Sequence, residues 1–141
     1  MQSTVQILRK TNSRKQVVMF PFGGGSGYSF IGLLNDIPAD IEILVINPPG
    51  HLLNGGKALE SIDAMVYLYA RDLRPFLKEN AVLFGHSIGG LVSYELCKVM
   101  EKEVKLKELI VSSVNPPHCT LEYVDLRSDM DTDTLVDKCT E

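Results

Sequence analysis

Short apolar runs alternate with segments of helical periodicity along this chain. Residues 16–20 (QVVMF), 41–47 (IEILVIN), 81–85 (AVLFG) and 107–114 (KELIVSSV) are short, apolar and rich in β-branched side chains. That pattern predicts strands buried on both faces. Residues 28–37 (YSFIGLLNDI) predict a short helix stopped by Pro38. After a candidate N-cap at Ser61, with Asp63 in the first turn, Ile62, Met65, Val66, Tyr69, Leu73, Phe76 and Leu77 recur at spacings of three and four. They predict an amphipathic helix that Pro75 kinks near its end. Ile88, Leu91, Val92, Leu96, Val99 and Met100 predict another. Residues 1–15 read as a polar N-terminal arm, and 119–141 as a polar, acidic tail.

The order β-loop-α-β-loop-α-β-α-β implies a single α/β domain. Its sheet should be mostly parallel, with helices on both faces and right-handed crossovers. Such sheets do their chemistry at the carboxyl ends of the strands. Three unusual loops fall there: 21–27 (PFGGGSG), 47–51 (NPPGH) and 85–89 (GHSIG).

Composition narrows the class without naming a function. The chain has 141 residues, of which 45% are hydrophobic, enough for one core. Its net charge of −4, without a basic block, argues against nucleic acid or anionic membranes as partners. The polar start lacks the apolar stretch of a signal peptide, and no apolar run reaches the length of a membrane span. Cys97, Cys119 and Cys139 are odd in number and lack metal-ligand spacing, so reduced thiols in a cytoplasmic protein are expected. Cys97 falls on a helical pattern and reads as core.

The chemistry concentrates in VLFGHSIGG, residues 82–90. A serine nucleophile must protrude, reach a base and lie beside donors for an oxyanion. A cramped strand-to-helix turn meets all three needs. Ser87 takes the strained position, and His86 precedes it. Gly85 and Gly89 leave room for strand and helix to approach. The N–H of Ile88 becomes one oxyanion donor, and the helix N-terminus adds its dipole. Gly90 aids packing and has no assigned chemical role. The glycine-rich loop FPFGGGSG (20–27) is placed to supply the second donor. A phosphate loop is the rival reading, but the lysine of G-x-x-x-x-G-K-[ST] is missing there. GHLLNGGKA (50–58) approaches that motif, yet carries an extra glycine and no terminal hydroxyl.

FPFGGGSGYSF, VINPPGH, VLFGHSIGGLVSYEL and LIVSSVNPPH, in this order, resemble the successive blocks of type II thioesterases. These are stand-alone α/β-hydrolases that accompany nonribosomal peptide and polyketide synthases. The resemblance covers about residues 16–120. It implies a partial α/β-hydrolase fold. It also implies hydrolysis of acyl or aminoacyl thioesters on the phosphopantetheine arm of an acyl- or peptidyl-carrier protein, with no cofactor of the enzyme's own. On this resemblance Ser87 is the nucleophile, and Ile88 and Gly23 take the two oxyanion places. The tail 119–141 falls where the family's lid begins.

The partners of Ser87 are harder to find. Superfamily order is Ser, then Asp or Glu, then His. His118 is the one histidine after Ser87, and NPPHCT reads as a turn. His86 should point away from the reaction centre, and His51 suits the cleft entrance. Asp125, Asp129, Asp131, Asp133 and Asp137 read as a solvated lid segment. The triad Asp and His are therefore expected to be absent, leaving the first half or so of a thioesterase that is nearly inactive alone. An exposed sheet edge then favours self-association. Two alternatives stay open: an esterase for small acyl esters, and a non-catalytic module that binds carrier protein.

Overall fold

The computed structural model describes residues 2–51 and 53–114. Five strands form one sheet: β1 (Val5–Arg9), β2 (Gln16–Phe20), β3 (Glu42–Ile46), β4 (Ala81–His86) and β5 (Leu106–Ser112). Their spatial order is β1-β3-β2-β4-β5. The pairs β2–β3, β2–β4 and β4–β5 are parallel, and β1 alone runs antiparallel, against β3. The four strands expected from apolar runs are all present. The helix α1 (Ile62–Leu73) connects β3 to β4, and α2 (Ile88–Met100) connects β4 to β5.

The central strands alternate between two cores. Val18, Phe20, Leu44, Ile46 and Leu83 pack against Val66, Tyr69 and Leu73 of α1 and Val92, Leu96 and Met100 of α2. On the opposite face Met19, Ile43 and Val45 pack against Phe30, Leu34 and Ile37. Every residue of β3 is buried, which is why its sequence is continuously apolar after Glu42.

Three features depart from the sequence reading. The N-terminal segment read as a polar arm contains β1. Its alternation is broken by a bulge between Ile7 and Arg9, and it lies at the sheet edge, so its apolar signal is weak. It is nevertheless anchored at both ends. The backbone N–H and hydroxyl of Thr4 donate to Asp72 Oδ2 at 2.9 and 2.8 Å. The Arg9 guanidinium donates to the carbonyls of Leu34, Ile37, Pro38 and Ile41. Second, residues Gly27–Asp36 form a 3-10 helix rather than an α-helix. It is started by Ser26, whose hydroxyl accepts from Tyr28 N, with Ser29 bonding back to Ser26 N. Third, α1 stops at Leu73. Pro75 has no N–H and its ring would clash with the preceding turn, so the chain leaves the helix instead of kinking within it. Phe76 and Leu77 N–H groups both turn back to the Leu73 carbonyl.

Among the described residues, the face carrying the 3-10 helix is only partly covered. An apolar groove of about 430 Å³ remains there, lined by Val17, Met19, Val82, Phe84 and Ile110 among others. The tail 119–141 lies outside the described residues. Among the described residues, no helix is long and apolar enough to cross a membrane.

Candidate active site

The parallel strands end at one rim, and the three unusual loops meet there. At the tip of β4, Ser87 adopts φ 54° and ψ −125°, a conformation costly for a residue with a side chain. Its N–H donates to the Ser112 carbonyl at 2.8 Å, and its own carbonyl accepts from Gly90 N at 2.9 Å. The turn is therefore pinned on one side to β5 and on the other to the first turn of α2. The Ser87 hydroxyl is not used to cap α2, and the residue is half-buried.

Two glycines make this bend possible. A Cβ at Gly85 would run into the Gly89 carbonyl, and one at Gly89 into the Phe20 carbonyl. The second contact matters for chemistry, because it brings the start of α2 against the end of β2, where the glycine-rich loop begins. That loop is held farther along by Gly27 N, which donates to the Asn47 side-chain oxygen at 2.6 Å. Between these anchors Gly23 comes to lie beside Ile88: a Cβ there would sit 3.8 Å from Ile88 Cγ2. The structure thus gathers Gly23, Gly85, His86, Ser87, Ile88 and Gly89 in one place.

The histidines have separate surroundings. His86 Nδ1 lies 3.2 Å from Ser112 Oγ, and its ring meets Phe22 edge-on at 5.9 Å. It braces the elbow against β5 and the glycine loop. His51 Nδ1 lies 3.1 Å from the Pro49 carbonyl. A small cavity of about 80 Å³ is lined by His51 together with Gly23, Met65, Tyr69, Ile88 and Val92. Neither histidine bonds to a carboxylate among the described residues. His118 and the five tail aspartates lie outside the described residues. Cys97 is half-buried on α2, where burial and then Glu101 push its thiol up, away from reactivity. Among the described residues no cluster of His, Cys, Asp and Glu is arranged to hold a metal ion.

Sequence reasoning passed over the residues that shape the second loop. Asn54 is buried, donates to the Asn47 carbonyl at 2.9 Å, and pairs with His51 through backbone bonds of 3.0 and 3.2 Å. Asn47 also donates to Gln6 at 2.7 Å. The signal was a polar residue ending an apolar strand, which is where a carboxamide holds loop backbone. In the sequence Tyr69 shows only as one position of an amphipathic helix.

A mostly parallel sheet, a glycine-tight turn from strand through serine to helix, and helices on both faces define a partial α/β-hydrolase fold. The chain belongs to the Thioesterase domain family, whose model matches residues 15–140. The type II thioesterase YbtT from the yersiniabactin pathway has 25% sequence identity and a TM-score of 0.79, with 98% of this chain and 57% of that one covered. BorB, the type II thioesterase of the borrelidin cluster, gives 26% and 0.80, with 99% and 59% covered. Among curated relatives, the AMB antimetabolite synthetase AmbE of Pseudomonas aeruginosa is 31% identical over 113 residues, 78% of this chain and 5% of AmbE. The gramicidin S biosynthesis protein GrsT of Aneurinibacillus migulanus is 28% identical over 110 residues, 76% of this chain. This chain spans 40% of GrsT's length, well under half of it.

Proposed function

We propose that this chain is the nucleophile-bearing part of a serine thioesterase. Its substrates would be acyl or aminoacyl groups on the phosphopantetheine arm of a carrier protein. The observation that carries the reading is the conformation of Ser87 at the start of α2, with Gly23 packed beside Ile88. In this mechanism Ser87 Oγ attacks the thioester carbonyl and the Ile88 and Gly23 amides receive the oxyanion. The thiol of the arm leaves with a proton, and water then releases the acid from the acyl-serine.

A base must take the serine proton, and an acid must orient that base. We infer that both belong to the portion of such enzymes that this chain does not span. Losing the base costs on the order of 10⁶ in kcat in a comparable triad, and the oxyanion site alone retains roughly 10³–10⁴ over water. The chain alone should therefore hydrolyse acyl-carrier or acyl-cysteamine thioesters near background. Turnover near ~1 s⁻¹ that disappears in Ser87→Ala would overturn the inactivity while strengthening the assignment of Ser87.

The carrier-protein reading has its own test. An NMR titration with a carrier bearing its acylated arm should shift the Gly23, Ser87 and Ile88 amides, and the apo carrier should not. Equal response to both carriers would remove the thioester from the proposal. Hydrolysis of p-nitrophenyl esters in preference to carrier thioesters would favour a small-ester esterase. Carrier binding that is indifferent both to the acyl group and to Ser87→Ala would favour a non-catalytic carrier-binding module. Among the described residues β5 is an outermost strand and Ile110 is exposed, which supports self-association, and a sedimenting species that is monomeric at all concentrations would exclude it.

A further inference from the structure

The cavity of about 80 Å³ beside Gly23 and Ile88 has apolar walls interrupted by two polar groups. One is Tyr69, which is 3% exposed and tilts against Phe20 with ring centroids 6.4 Å apart. Its hydroxyl makes no hydrogen bond among the described residues, although no fully buried polar side-chain atom there lacks a partner. The hydroxyl therefore keeps access to open space, and the cavity is the space that Tyr69 lines. Burial pushes the phenol up to about 12, so it stays a neutral donor at physiological pH.

The other polar group is His51. The Pro49 carbonyl can only accept, so the neutral ring carries its proton on Nδ1, which lies 3.1 Å away. Nε2 is then an acceptor, and it has no bond among the described residues. One donor and one acceptor thus share an otherwise apolar pocket. A hydroxyl satisfies both requirements, since it can donate to one and accept from the other; an ammonium can only donate. The volume is about half that of the ~150 Å³ cavity that takes benzene, so three or four non-hydrogen atoms suit it. Gly23 and Ile88 both line it, so a group held there would lie beside the amides that receive the carbonyl.

We propose that this cavity is a subsite for a short hydroxyl-bearing acyl group, recognised by Tyr69 and His51. The inference rests on the thioesterase reading and adds a substrate class to it. A site built around a hydroxyl disfavours the analogue that lacks one, because its polar groups are left unpaired.

The test is an NMR titration of the full chain with the N-acetylcysteamine thioesters of lactate and of propionate. The lactoyl thioester should bind about tenfold more tightly, and Tyr69→Phe, which keeps the ring against Phe20, should bring the two affinities together. His51→Leu lies on a surface loop outside the helical core and should do the same, which covers the case of a poorly folded Tyr69 variant. Equal affinities in the unaltered chain, or a preference that survives both substitutions, would overturn the subsite and leave the thioesterase reading standing. Failure of both thioesters to shift the Gly23 and Ile88 amides would overturn the two together.

Discussion

The two ends of the parallel strands are built on opposite principles. At the amino end, buried polar groups are fully partnered. Gln16 donates to Glu42 and to the Phe76 carbonyl, both at 2.8 Å, and its own oxygen accepts from Lys78 N. Lys78 Nζ reaches Glu42 at 3.3 Å and the Ser13 carbonyl at 2.8 Å. At the carboxyl end buried Asn47 and Asn54 are partnered too, but the chain also carries a strained serine, glycines pressed against backbone, and a tyrosine hydroxyl with no partner among the described residues. Polar satisfaction at one end holds the strands in place, and the other end is left with groups that can meet a ligand.

This contrast can be broken from either side. The largest effect should come from Gly85→Ala or Gly89→Ala, since each new methyl meets backbone that cannot yield. We expect a loss of about 3 kcal/mol or more, read from the urea midpoint. Next, Glu42→Ala strips partners from Gln16 and Lys78 and should cost about 2–3 kcal/mol by the same measurement.

The Glu42 network also predicts a pH dependence. Burial raises the Glu42 carboxyl, but bonds from Gln16, the Thr11 backbone and Lys78 outweigh it and hold the group below its ordinary 4.5. A carboxylate depressed in the folded state stabilises above its unfolded value, and the benefit is lost as pH falls through the folded one. Stability should therefore drop on acidification below about 4.5, and Glu42→Gln should flatten that slope. A slope unchanged in Glu42→Gln would place the acid sensitivity elsewhere.

A smaller effect of opposite sign is expected at the elbow. Ser87→Gly should stabilise by about 1 kcal/mol, the relief of strain being partly offset by glycine's greater freedom when unfolded. A neutral or destabilising result would mean the bend is not strained. The smallest effect belongs to Gly23→Ala, whose methyl would rest in ordinary contact with Ile88. A change under about 0.5 kcal/mol in thermal or urea unfolding is expected there.

The strands and helices with strong periodicity were legible from sequence because burial on both faces, or on one helical stripe, leaves a dense apolar code. The elbow was legible for a different reason: glycine is required at positions where any Cβ meets backbone, so Gly85 and Gly89 mark the turn directly. Strand β1 was not legible. As an edge strand with a bulge it buries few side chains, and its place depends on Asp72 and Arg9, whose partners are 68 residues and at least 25 residues away in the chain. The contacts of Asn47, Asn54 and Tyr69 were hidden in the same way.

The sequence by itself determined the order of the elements and the position of the bend at Ser87, since local spacing and steric necessity fix both, and its four motif blocks resemble those of the family to which the chain belongs. Only the tertiary structure decided that Gly23 stands beside Ile88, that His86 braces Ser112, and that His51 and Tyr69 share one cavity. Those meetings depend on where separate strands end, and chain-local patterns carry no record of contacts made across a sheet.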